Sequence, residues 1–255
     1  MYSFTIIKLI SDMKNRYHTL DVIRGFALVN MILYHALWDV VNMFRIDVPW
    51  FTSESAHIWQ QLICHTFILL SGFCWHFGKK KLKNSLIVLG ASVIITIVTA
   101  VFMKNSIILF GVLCLLGSSM LLMIPLDKVF KRINPFLGFS VFLLIFLLTK
   151  NISDGFIRIG DTELLKVPET FYQNYLTAYL GFPFRGFYSA DYFPLIPWFF
   201  LFICGYFLNP AFDKLKLMKY LSSLRCRPLE FLGRHSLIFY MIHQPVVYGI
   251  LFVLL

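Results

Sequence analysis

Long apolar runs, separated by short clusters of lysine and arginine, organise this chain. Seven runs approach the roughly 20 residues that a helix needs to cross a bilayer. They cover residues 21–44, 57–77, 84–103, 106–126, 134–150, 192–209 and 228–255. The fifth is short and the sixth opens with two prolines. The pattern predicts an all-α, polytopic membrane protein of about seven transmembrane helices around an internal cavity. It forms a single domain over 1–255, with an N-terminal tail to about residue 20.

The connections set the expected orientation. Lys8, Lys14 and Arg16 in the tail fall on the same side as Lys79, Lys80, Lys81 and Lys83. Lys128, Lys131 and Arg132 follow there, then Lys214, Lys216, Lys219, Arg225 and Arg227. Arg45, Lys104, Lys150, Arg158, Lys166 and Arg185 occupy the opposite loops. Cationic loops stay in the cytoplasm, so the N-terminus is expected inside and the C-terminus outside. One outer segment, about 151–191, is long. Phe171, Tyr175 and Tyr179 fall there at helical spacing, which predicts an amphipathic helix on the membrane surface. That helix reads either as part of an interfacial aromatic belt or as a platform for an extracytoplasmic substrate.

Composition agrees. Of 255 residues, 58% are hydrophobic and only 14% charged, against about 25% charged in soluble domains. The net charge of +10 reports topology here and excludes nucleic acid as an expected partner. The apolar patch at the N-terminus lacks a small-residue cleavage site, so no signal peptide is expected. Cys64, Cys74, Cys114, Cys204 and Cys226 show no metal-type spacing, and their odd number excludes a complete disulfide framework. They read as small buried apolar side chains.

Against this background the polar residues inside the runs stand out. Arg24 and His35 are eleven positions apart, three helical turns plus about 20°, so they share a face about 16 Å apart along the axis. Asp39 lies one turn beyond His35, within reach to orient its imidazole, and Asp21 is placed to pair with Arg24. An ionisable group within a span costs about 2.5–3.5 kcal/mol on insertion scales and belongs in the bundle interior or a wet cavity. The three cofacial residues read as lining a path across the bilayer, or as structural helix–helix hydrogen bonds. In the last run Ser236, Tyr240, His243 and Gln244 form one polar stripe, a candidate opposing wall. His243 reads there as a site residue or as a support for one. Pro245 is expected to bend that helix near Met241, and Arg234 sits at the level expected for Arg24. His57 opens the second run on the outside. His65 and His76 lack a partner at useful spacing, and His18 and His235 fall near the inner surface. No histidine pair at ligand spacing is joined by a carboxylate, so no metal is expected.

LDVIRGFALVNMILYHALWD, then FILLSGFCWHFGKKK, SADYFPLIPWFFLFICGYFL and GRHSLIFYMIHQPV, together resemble the bacterial branch of the heparan-alpha-glucosaminide N-acetyltransferase catalytic-domain family. That family belongs to a wider superfamily of transmembrane acyltransferases acting on cell-surface glycans. The four elements occur in the family's order over about residues 16–247. The resemblance implies transfer of an acetyl group from cytosolic acetyl-CoA to an extracytoplasmic sugar acceptor, in a bacterial plasma membrane. It implies His35 as the catalytic histidine, Arg24 as the arginine of that element and Asp39 as the acidic residue after it. Lysosomal members carry a catalytic histidine in the segment after the first helix, where His57 is the nearby histidine here. The sequence lacks their extra lumenal domain, which argues against heparan sulfate itself as acceptor.

Coenzyme A carries several phosphate charges that need cationic partners, and Arg24, Lys79, Lys80, Lys81, Lys83 and Arg234 are candidates on the inner side. Topology signalling alone also accounts for the lysine run. A neutral His35 imidazole can deprotonate a hydroxyl or amine, or accept the acetyl group itself. Position marks Asp191, Trp198 and His57 for the sugar, with His243 and Gln244 on the opposing wall. A homo-oligomer in the lipid is compatible with the sequence. The competing classes are a transporter using the polar stripe as a proton or solute pathway and a non-catalytic subunit of a glycan-export assembly.

Overall fold

A computed structural model describes residues 17–159 and 162–255. Lys8, Lys14 and Arg16 of the tail lie outside the described residues. The helices are α1 (His18–Asn42), α2 (Glu54–Cys74), α3 (Lys81–Phe102), α4 (Val112–Phe130), α5 (Pro135–Thr149), α6 (Tyr175–Leu180), α7 (Leu195–Lys214), α8 (Arg227–Arg234) and α9 (Ser236–Leu254). Among the described residues seven helices are long and apolar enough to cross a membrane, α5 being extended to Asp154 by a 3-10 turn. The chain forms two compact units, residues 17–67 with Phe212–Leu255, and Ile68–Ala211.

In the first unit, α1 and α8 cross at bare backbone. A Cβ on Gly25 would collide with the carbonyl of Leu229, and a Cβ on Gly233 would collide with the carbonyl of Asp21. Small residues permit such close approach where lipid supplies no hydrophobic drive. Leu28, Met31 and Ile63 are buried beside this crossing, with Trp59, Leu232 and Phe239 packed on them. The last apolar run is not one helix, as the sequence led us to expect. His235 at φ −108°, ψ 21° ends α8 and starts α9, so Arg234 sits on a short helix of its own. Pro228 fits the first turn of α8, where its missing N–H has no intrahelical partner to lose.

The second unit repeats the device. Gly72 of α2 meets the carbonyl of Phe202, and Gly205 of α7 meets the carbonyl of Leu69. Asn209 Nδ2 donates to the carbonyl of Phe73 at 3.0 Å, and the Tyr206 hydroxyl donates to Asp127 at 2.8 Å. These bonds satisfy polar groups that would be costly to bury alone.

The outer segment differs from the predicted amphipathic helix. Phe171 ends a 3-10 turn, and α6 begins only at Tyr175, where Asn174 and Thr177 form a reciprocal capping box. Before it, β1 (Phe156–Ile159) pairs antiparallel with β2 (Thr162–Lys166). Helix α4 also starts later than expected, at Val112, because residues 107–110 bond to the 189–193 segment instead.

Candidate functional site

The first unit gathers the polar residues of α1, α8 and α9 into two clusters. Near the start of α1, Asp21 forms ion pairs with Arg24 at 3.5 Å and with Arg234 Nε at 3.4 Å. Arg234 also donates to Glu230 at 2.9 Å, and Glu230 receives a 2.7 Å bond from the buried ring of His18. The His18 bond, supported by Arg225 and Arg234, holds the Glu230 carboxyl below the usual carboxylate range despite burial. The pairing of Asp21 with Arg24 was legible at three-residue spacing. The roles of Glu230 and His18 were not singled out, although Glu230 precedes Arg234 by four positions and this i,i+4 pair was readable.

The second cluster lies farther along α1. The imidazoles of His35 and His243 are in ring contact, with centroids 4.9 Å apart. Asp39 is fully buried, and its Oδ1 accepts a 2.6 Å hydrogen bond from Gln244 Nε2. The carboxylate is thus held by α9 and not by His35, a departure from the expectation that it orients that ring. His243 Nδ1 lies 2.6 Å from the carbonyl of Tyr240. A carbonyl only accepts, so Nδ1 carries the hydrogen and a neutral ring has its lone pair on Nε2. Three buried atoms here have no protein partner: Asp39 Oδ2, His243 Nε2 and Gln244 Oε1. More than about 90% of buried polar groups are paired. These three atoms, on side chains of one cluster, can therefore take hydrogens from a bound group.

Aromatic rings continue from His35. Tyr34 contacts His35 edge-on at 6.1 Å and Trp59 at 5.5 Å, and Trp59 lies 5.8 Å from the exposed Trp50. Trp59 Nε1 donates to Asn30 at 3.0 Å. The sequence reading missed Tyr34, Trp50 and Trp59, because single aromatics in an aromatic-rich chain carry no spacing signal.

The remaining candidates divide. His57 is exposed in the first turn of α2. Lys79 and Lys80 are exposed just before α3 in the second unit. Asp191 Oδ2 accepts from the backbone N–H of Val112 at 3.1 Å, so it caps α4. Burial raises its pKa to about 6, partly offset by that bond. Trp198 packs against Phe146 and Phe193. His76, which has no partner at useful sequence spacing, stacks on Tyr206 at 4.3 Å and bonds its carbonyl across 130 positions. All five cysteines are unbridged.

Fold and site together define an integral-membrane, helical protein with a paired-histidine polar site inside one unit. The chain belongs to the heparan-alpha-glucosaminide N-acetyltransferase catalytic family, whose model matches residues 16–245. That is a family of membrane-bound N-acetyltransferases with acetyl-CoA as donor. Comparison with curated proteins and with solved structures gives no match.

Proposed function

We propose that this protein takes the acetyl group of cytosolic acetyl-CoA and transfers it to an amino sugar of an extracytoplasmic glycan, with the N-terminus in the cytoplasm. The observation that carries this reading is the ring contact of His35 and His243 beside three buried acceptor atoms without protein partners. Transfer from a thioester needs a group that handles the nucleophile's proton in a water-poor site. His35 is the residue we assign to the reacting carbonyl.

Asp39, locked by Gln244, keeps α1 and α9 in register at that level. Lys79 and Lys80 supply charge for the coenzyme's phosphates. Arg24 and Arg234 are already engaged by Asp21 and Glu230. Guanidinium groups have five donors, so phosphate binding there competes with, or adds to, these ion pairs. Asp191 is committed to capping α4, and Trp198 packs on Phe146 and Phe193. Within the unit that holds His35, contact with the sugar is assigned to His57, His243 and Gln244.

The test uses the purified full chain in lipid nanodiscs with radiolabelled acetyl-CoA and D-glucosamine. Wild type should release coenzyme A and label the sugar. His35→Ala should reduce turnover at least about 100-fold at unchanged folded yield. Full turnover by His35→Ala rules out the assignment of His35.

A further inference from the structure

The geometry points to His243 Nε2 as the general base that takes the acceptor's proton, a role separate from that of His35. This rests on the acetyltransferase reading above. Three observations meet at this atom. The residue is buried, with 9% of its surface exposed. Its tautomer is set, because Nδ1–H is tied to the carbonyl of Tyr240 on the same helix. Its Nε2 has no protein partner, and the ring leans on His35. A lone imidazole used for packing satisfies both nitrogens or leaves one in water. This one keeps a lone pair buried and uncommitted, which is costly unless a substrate proton arrives there.

The neighbours complete the arrangement. His35 leans on His243 from α1, Tyr240 contacts the ring from α9, and Gln244, the next residue on α9, donates to Asp39 of α1. As the amine nitrogen attacks the thioester carbonyl, the C–N bond forms and a proton passes from nitrogen to His243 Nε2. The Nδ1–H bond to Tyr240 persists and steadies the resulting imidazolium. When the C–S bond breaks, the proton moves from Nε2 to the departing sulfur. The products are the N-acetylated sugar and coenzyme A as the thiol, and His243 returns to its starting tautomer.

Two substitutions separate this role from a structural one. His243→Asn retains a side-chain N–H donor near the Nδ1 position, for the Tyr240 carbonyl, but has nothing at Nε2. His243→Gln extends an amide toward the Nε2 position without a basic lone pair. With acetyl-CoA and D-glucosamine in nanodiscs, both should lose at least about 100-fold in kcat, with KM for acetyl-CoA within about twofold. Wild-type kcat should fall at acidic pH as the base becomes protonated, and the residual activity of the variants should lack that limb. A kcat for His243→Asn within about threefold of wild type, or an acidic limb unchanged in the variants, overturns the proposal alone. A wild type with a flat profile overturns it without any variant. A wild type that neither transfers nor hydrolyses acetyl-CoA overturns the acetyltransferase reading, and this role with it.

Discussion

Gln244 donates to Asp39 at 2.6 Å, joining α9 to α1 across 205 positions of sequence. A hydrogen bond to a charged group contributes about 1.5–3 kcal/mol when no water replaces it. Gln244→Leu should therefore destabilise the protein by about that amount, seen as a lower midpoint in detergent melts. Asp39→Leu with Gln244→Leu should cost less than the sum of the two single changes, because neither partner is then left buried alone. Strict additivity would mean that the bond does not hold the two helices.

The glycine crossing makes a sharper contrast. Gly25→Ala puts a methyl group into the carbonyl of Leu229, and overpacking typically costs about 1–3 kcal/mol. Folded yield and melting temperature should both fall. At Gly90 of α3 and Gly249 of α9 nothing beyond the helix's own nearby backbone lies within 4 Å of where an alanine methyl would stand. Alanine at either should be neutral or stabilising by up to about 1 kcal/mol through helix propensity.

How much of this was legible beforehand follows from the range of each interaction. The seven spans were readable because apolar length is a local property, and His35 with Asp39 stood out because charge inside such a run is costly. The stripe carrying His243 and Gln244 was also visible. Its exact partners were not: Gln244 reaches Asp39, and His18 reaches Glu230 across 212 positions. The break at His235 was marked by the polar run Gly233-Arg234-His235-Ser236, but the apolar residues on either side of it read as one long stretch. The bond of Asp191 to Val112 was hidden in the same way, because it spans 79 positions.

Acidity should act through Asp191. Its carboxyl titrates near 3.8 when unfolded and near 6 in the fold, because burial disfavours the charged form. The protonated form is therefore the one the fold favours. Its stabilisation is complete below about pH 3.8 and is lost as pH rises through about 6. Asp191→Asn keeps an oxygen for the Val112 N–H and removes the titration. Its melting temperature should change less than that of wild type between pH 4 and pH 7, a comparison that calorimetry at several pH values makes directly.

Lys79→Gln with Lys80→Gln should raise KM for acetyl-CoA about tenfold and leave kcat near wild type, since contacts to the coenzyme's phosphates are made equally in ground and transition states. The salt dependence of KM should weaken in the same variant. Steady-state kinetics at two ionic strengths provides both readings.

The α1–α8 contact at Gly25 and Gly233 has a mechanical corollary. Two main chains that touch directly leave no side chain between them to swing aside. The separation of Asp21 from the short helix that bears Arg234 is consequently fixed by peptide atoms, like a riveted joint. Any change in the spacing of these charges has to come from rotation of the guanidinium groups themselves, while the frame that carries them stays still.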